Sequence, residues 1–184
     1  IGPHEKGAMV ALDAPLYDRF RRRLPWLLFG LAASSGITYL MAGFEKTLAA
    51  NVAVAFFVPA LVNIAGAIGT QAVSVAVRGL AAQTVPIGRL LTQELAIGAA
   101  IGASLGAVTW VAVYLIFQHV MLSFAVGGAV FAGGLLSAVV GFTLPWLFER
   151  LGSDPAMGSG PVCTIIQDGA SLLIYFVLVG LLLT

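Results

Sequence analysis

Apolar residues in this chain fall into five long blocks separated by short polar stretches. The blocks run from about Leu24 to Met41, Leu48 to Val77, Leu90 to Phe117, Met121 to Phe148 and Gly160 to Leu183. A helix that crosses a membrane needs about 20 mostly apolar residues, so each block predicts one span. The fold class that follows is an all-α membrane protein with five transmembrane helices. The middle three blocks are longer than a crossing requires, so they tilt, kink or protrude. Pro59 in the second and Pro145 near the end of the fourth are the natural places for a kink or break.

Polar positions inside the blocks are few. Asp168 lies about eight residues into the fifth, ~12 Å from its start at 1.5 Å per residue. A charge at the centre of a membrane helix costs at least ~2.5 kcal/mol on insertion scales, so by default it faces a bundle interior, a cavity or an ion path. The second block holds Pro59, Asn63, Gly66, Gly69, Thr70 and Gln71. A broken or loosened helix there would free carbonyls, and irregular backbone at membrane depth is tolerated only against protein or water. Interhelical hydrogen bonding by Asn63, Thr70 and Gln71 is the plainer alternative. Gly98, Gly102 and Gly106, spaced by four, share one helix face and let another backbone approach closely. Gly127-Gly128 and Gly133-Gly134 read the same way.

Composition agrees with the pattern. Of 184 residues, 60% are apolar and only 9% are charged, against about 25% charged in a soluble domain. A soluble surface cannot be built from this chain, so its partner is the lipid bilayer. The net charge of +1 argues against nucleic acid. The single cysteine, Cys163, excludes an internal disulfide framework and reads as a small packing residue. His4 in the tail and His119 in an outer loop read as surface residues.

Charge sets the orientation. With the N-terminus inside, the cytoplasmic segments hold Lys6, Arg19, Arg21, Arg22, Arg23, Arg78, Arg89 and Arg150, while the outer segments hold Lys46 alone. That bias predicts a cytoplasmic N-terminus and an external C-terminus in a multi-pass protein of the cytoplasmic membrane. Residues 1–23 form a tail and interfacial linker, in which Asp13 to Pro25 is polar on one face and apolar on the other. Its arginines would lie near anionic headgroups. Residues 1–8, before Met9, read as a vector remnant or the stump of a truncation. Residues 24–184 form the membrane-spanning domain.

No basic residue lies within a span at the depth of Asp168, so the acid either stays protonated or meets a cation. Were two copies to bring their fifth helices to a two-fold axis, two carboxylates would face one site. Oxygen ligands suit hard ions such as Mg²⁺, Ca²⁺ or Mn²⁺. Magnesium gives up its water reluctantly, and one acid per chain with carbonyls and amides suits a hydrated ion. Glu45, at the outer end of the first span, could draw cations to a pore mouth, although Lys46 beside it favours a plain surface role. Glu94 reads as a surface acid balancing Arg89 or Arg78. No Gly-x-Ser-x-Gly, His-Glu-x-x-His or P-loop motif occurs, so the chain does not read as an enzyme.

Asp154-Pro-Ala156, Ser159-Gly-Pro161, Thr164, Asp168 and Leu173-Ile-Tyr-Phe176 resemble the final-helix signature of MgtE-type magnesium channels. Gly43-Phe-Glu45, Phe57-Val-Pro59, Gly66-x-x-Gly69-Thr-Gln71, Arg78-Gly-Leu80, Glu94-Leu95 and Gly141-x-x-x-Pro145 follow in that family's order. The resemblance covers about residues 24 to 183. It implies a homodimer with the ion path between subunits. It also implies that Asp168 binds hydrated Mg²⁺, helped by backbone carbonyls such as that of Thr164. Asn63, Gly66, Gly69, Gln71, Gly160 and Glu45 are the pore-lining candidates. Full-length members carry cytosolic helical and CBS domains, so this chain is expected to be a membrane domain or a short member. The family's second helix usually reads Gly-Gly-Asn where this chain has Ala65-Gly66-Ala67, which leaves Mn²⁺, Co²⁺ and Ca²⁺ beside Mg²⁺ as cargo to be tested. Two further readings stay open: a proton- or sodium-coupled carrier in which Asp168 titrates, and a non-transporting assembly subunit in which it only bonds a neighbouring helix.

Overall fold

The structure, a computed structural model, describes residues 15–82, 87–152 and 155–183. The opening tail with His4 and Lys6, and Asp154 of the final motif, lie outside the described residues. Every regular element among the described residues is a helix: α1 Leu16–Ala42, α2 Glu45–Ala50, α3 Val52–Phe56, α4 Val58–Ala82, α5 Ile87–Phe117, α6 Val120–Arg150 and α7 Pro155–Leu183. Five candidate spans follow from their length and apolarity: Leu16–Ala42, Val52–Leu80, Gly88–Phe117, Val120–Arg150 and Ser159–Leu183.

Three features differ from the expected ones. α1 starts at Leu16 rather than near Leu24 and runs through Pro25 without a break. Pro15 precedes it and its carbonyl accepts from the amides of Asp18 and Arg19 at 3.0 and 3.2 Å. Asp18 in the first turn suits the positive end of the helix dipole. The linker expected over Asp13 to Pro25 is thus, from Leu16 on, continuous with the first span.

The second block is interrupted, but not where its glycines lie. The chain leaves helical geometry at Asn51, with φ −142° and ψ 94°, and turns again at Phe57. Asn51 caps α3 by accepting from the Ala53 amide at 3.1 Å. Pro59 sits in the first turn of α4, where its missing N–H removes nothing the helix needs. From there through Asn63, Gly66, Gly69 and Gln71 the backbone is regular helix. The expected loosening at those glycines is absent: Gly69 is buried against α6 and α7, and Gly66 lies in unbroken helix, its carbonyl accepting from the Thr70 hydroxyl. Pro145 likewise sits buried inside a continuous α6, so the expected break does not occur there.

α6 is the central helix and packs on α5, α7 and α4. The glycines of α5 let α6 approach to backbone contact. A Cβ at Gly102 would lie 2.9 Å from the Phe131 carbonyl oxygen, and one at Gly106 would lie 2.8 Å from that of Gly127. α5 and α6 are joined through Gln118 and His119, and the His119 ring accepts from the Leu122 amide at 3.1 Å. His119 therefore caps a helix.

The apolar core gathers Val54, Leu61, Val113, Leu122, Val126, Val130, Leu172, Tyr175, Phe176 and Val179. The break before α4 leaves the Val54 carbonyl available, and the buried Tyr175 hydroxyl donates to it at 2.9 Å. Phe44 stacks on Phe176 with centroids 4.5 Å apart. α1 leans chiefly on α7 and leaves Leu27, Leu28, Phe29, Leu31 and Tyr39 exposed, as a lipid-facing helix does.

Candidate functional site

α4 and α7 run antiparallel along one side of the bundle, and a polar groove of about 850 Å³ lies on them. α4 supplies Asn63, Gly66, Ala67, Thr70, Gln71, Ser74 and Arg78, and α7 supplies Thr164 and Asp168. The α4 positions are spaced by three and four, so they form one face of a helix. A second cavity, of about 520 Å³, lies between α1, α4 and α7 and takes in Ser34, Thr38, Pro59, Asn63, Asp168 and Leu172. Val62, Asn63 and Asp168 line both cavities. The acid therefore stands where two cavities meet, and the two together follow α4 from Val58 to Arg78.

The hydroxyls in the groove are turned in a consistent way. Thr70 donates to the Gly66 carbonyl at 2.7 Å, Ser74 to that of Thr70 at 2.8 Å, and Thr164 to that of Gly160 at 3.1 Å. Each hydroxyl proton is spent on its own helix one turn back. The oxygen lone pairs are left for the groove. Arg78 closes the row, its Nε donating to the Ser74 carbonyl at 3.0 Å. Asn63, Thr70, Gln71, Ser74, Arg78 and Thr164 are all exposed on this one copy of the chain.

Asp168 is half-buried, and its Oδ1 is shut in without a hydrogen-bond partner among the described residues. Its backbone carbonyl accepts from the Ser171 hydroxyl at 3.1 Å. No group of three or more His, Cys, Asp or Glu side chains converges among the described residues. A fully stripped metal would need several such anionic ligands. A groove with one acid among neutral oxygens, and Arg78 at the end of the row, suits an ion that keeps its water. Six waters at ~30 Å³ each occupy roughly 180 Å³, well inside the groove.

Of the residues expected at the site, Asp168, Thr164, Asn63, Gly66 and Gln71 come together in the groove. Gly69 does not line it. It is buried against α7 and α6, where a Cβ would strike the Gln167 side chain. Gly160 and Glu45 are also outside its lining. Gly160 accepts the Thr164 hydroxyl, and Glu45 is an exposed residue of α2. Ser74 and Arg78 were not expected there. Their spacing of four from Thr70 and from each other was the available signal. Glu94 departs from its expected surface role. It is 9% exposed, has no ion pair with Arg78 or Arg89, and lines a cavity of about 130 Å³ with Gln71 and Gly98.

The fold and the groove define a polytopic helical membrane protein that holds an acid at mid-span, where a groove rich in polar side chains meets a second, mostly apolar cavity. A family model described as MgtE, divalent cation transporter, matches residues 58–178, and the chain belongs to that family. A protein of Bacillus subtilis (strain 168) named magnesium transporter MgtE is 35% identical over 178 residues, which is 92% of this chain and 38% of that relative. Proteins of the same name in Enterococcus faecalis and Thermus thermophilus are 33% and 32% identical, over 84% and 88% of this chain. The chain spans less than two fifths of the length of each relative: 38%, 35% and 36%.

Proposed function

We propose that this chain forms the membrane path of a divalent-cation transporter, with hydrated Mg²⁺ as the preferred cargo and Asp168 as its ligand. The observation that carries the reading is the position of Asp168 at the junction of the two cavities. Its carboxylate attracts a dication directly. The hydroxyl and amide oxygens of Thr164, Thr70, Asn63 and Gln71 accept hydrogen bonds from the ion's water shell. Hydroxyls whose protons are already placed do this without rearranging. The relatives bear the name magnesium transporter, which supports the choice of ion.

A polar groove on the flank of a bundle cannot face lipid hydrocarbon, where unsatisfied polar groups cost several kcal/mol each. A second copy of the chain, related by a two-fold axis, would cover it and set two Asp168 carboxylates on one path. The arginine bias puts the N-terminus and the Arg78 end of the groove on the cytoplasmic side of the cytoplasmic membrane. Residues 24–184 are then the pore domain.

The test is Mg²⁺ uptake into liposomes carrying the purified chain and a trapped Mg²⁺ indicator. Asp168→Ala and Asp168→Asn should reduce uptake to the level of empty liposomes. Removing an unpaired acid from a membrane helix should leave thermal stability in detergent unchanged or raised. Normal uptake by folded Asp168→Ala would overturn the reading. Repeating the assay across pH gradients separates a channel from a coupled carrier, in which proton movement would accompany Mg²⁺.

A further inference from the structure

Gln167 precedes Asp168 and so points about 100° away from it around α7. It is 2% exposed. Its amide nitrogen donates to the Ser137 carbonyl of α6 at 3.3 Å and to the sulfur of Cys163, one turn back on α7. The side chain lies across Gly69 of α4, where even a methyl group would overlap it. One side chain therefore meets the two helices that wall the groove and the central helix behind them. The proposed ion path does not use it.

Burying an amide in this setting is unfavourable unless it is hydrogen-bonded. An apolar residue would fill the same place without that requirement. The stripe Cys163, Gln167 and Ser171 packs on α6, while the neighbouring stripe Thr164 and Asp168 faces the groove. The rotation of α7 about its own axis thus decides where the acid points. Asp168 has no hydrogen bond at Oδ1 to aim it. We propose that Gln167 is a positioning residue: bonded to Ser137 and seated on Gly69, it sets the rotation of α7 and so aims the Asp168 carboxylate into the groove.

The magnitude is adequate. A carboxyl group about 6 Å from the helix axis moves about 2 Å when the helix turns by about 20°. Binding geometries tolerate roughly 0.5 Å or 10–20°. Gly69 belongs to the same device, because only glycine leaves room for the amide. The inference rests on the reading of Asp168 as ion ligand.

The experiment measures Mg²⁺ uptake against Mg²⁺ concentration for the reconstituted chain. The variants are Gln167→Leu, Gln167→Met, Gly69→Ala and the double variant Gly69→Ala/Gln167→Ala. Gln167→Leu and Gln167→Met should raise the half-saturating concentration by about tenfold, with a smaller change in maximal rate. A residue that only packs would leave half-saturation unchanged in the protein that folds. Gly69→Ala alone should lower the yield of folded protein. The double variant, in which the overlap is gone, should recover folding but keep the raised half-saturation. Folded Gln167→Met with unchanged half-saturation would overturn the proposal, as would a double variant restored in both respects. Asp168→Ala, run in parallel, separates the two readings. Uptake lost in Asp168→Ala but unaltered in Gln167→Met sinks only the positioning role, whereas uptake retained in Asp168→Ala sinks the ligand role itself.

Discussion

Among the described residues, Arg78 is the one cationic side chain lining the groove, at the end of a row of oxygens. Its Nε is held by the Ser74 carbonyl, so the charge stays near the mouth. At about 10 Å and an effective dielectric near 20, a positive charge opposes a dication by roughly 3 kcal/mol before salt screening. Arg78→Gln should therefore speed Mg²⁺ uptake by at least about tenfold at low ionic strength, and the gain should shrink as salt is added. A rate that falls, or that changes equally at all salt concentrations, would place Arg78 outside the ion's reach. Ser74 and Arg78 were legible only as a spacing, because nothing in a sequence says how far along a helix a groove extends. Asp168 stood out in the sequence because a lone acid in an apolar block is costly and rarely placed at random. Glu94 misled for the converse reason. Near the end of a block an acid looks like a surface residue, and its burial depends on how α5 crosses α4 and α6.

At the scale of the element, the glycines of α5 make the sharpest prediction. Gly106→Leu would drive a side chain into the Gly127 carbonyl and the Phe131 side chain. It should lower stability by about 2–4 kcal/mol, as overpacking and separated helices do, and this would be read as a fall in the midpoint of thermal unfolding in detergent. Gly180→Leu, at a position where a Cβ would meet nothing within 4 Å, should be tolerated and serves as the control. The five candidate spans were legible from block length alone, since bilayer thickness fixes what a span needs. Their breaks were not. Pro59 marks the start of α4 rather than a kink within it, and Pro145 is carried inside a continuous α6. The real interruption, at Asn51 and Phe57, shows no glycine and falls in an apolar run. Asn51 is its one local mark, as the cap of α3, while the bond from Tyr175, far along the chain, to the Val54 carbonyl that fastens it is recorded in no local pattern.

At the scale of the molecule, the orientation can be tested by chemistry from each side. Ser74→Cys, near the arginine end of the groove, should react with a membrane-impermeant thiol reagent only from the cytoplasmic face. Thr38→Cys, in the second cavity, should react only from the outer face. Buried Cys163 should stay silent from both. Reversed labelling would reject the assigned orientation. The same two helices that wall the groove are tied at unequal places. Tyr175 holds the α3–α4 corner to α7, and Gln167 rests on Gly69 near the middle of α4. From Gly69 to Arg78 the helix extends ~13 Å further. Relative motion of α4 and α7 that keeps the Gly69 contact and bends at the Phe57 corner pivots near Gly69. A splay of about 10° then shifts the Arg78 end by about 2 Å, while the acid, beside the pivot, hardly moves. A path of this build is stiff at the acid and compliant at the mouth, so a force applied at that end would change its width without disturbing the site proposed to hold the ion.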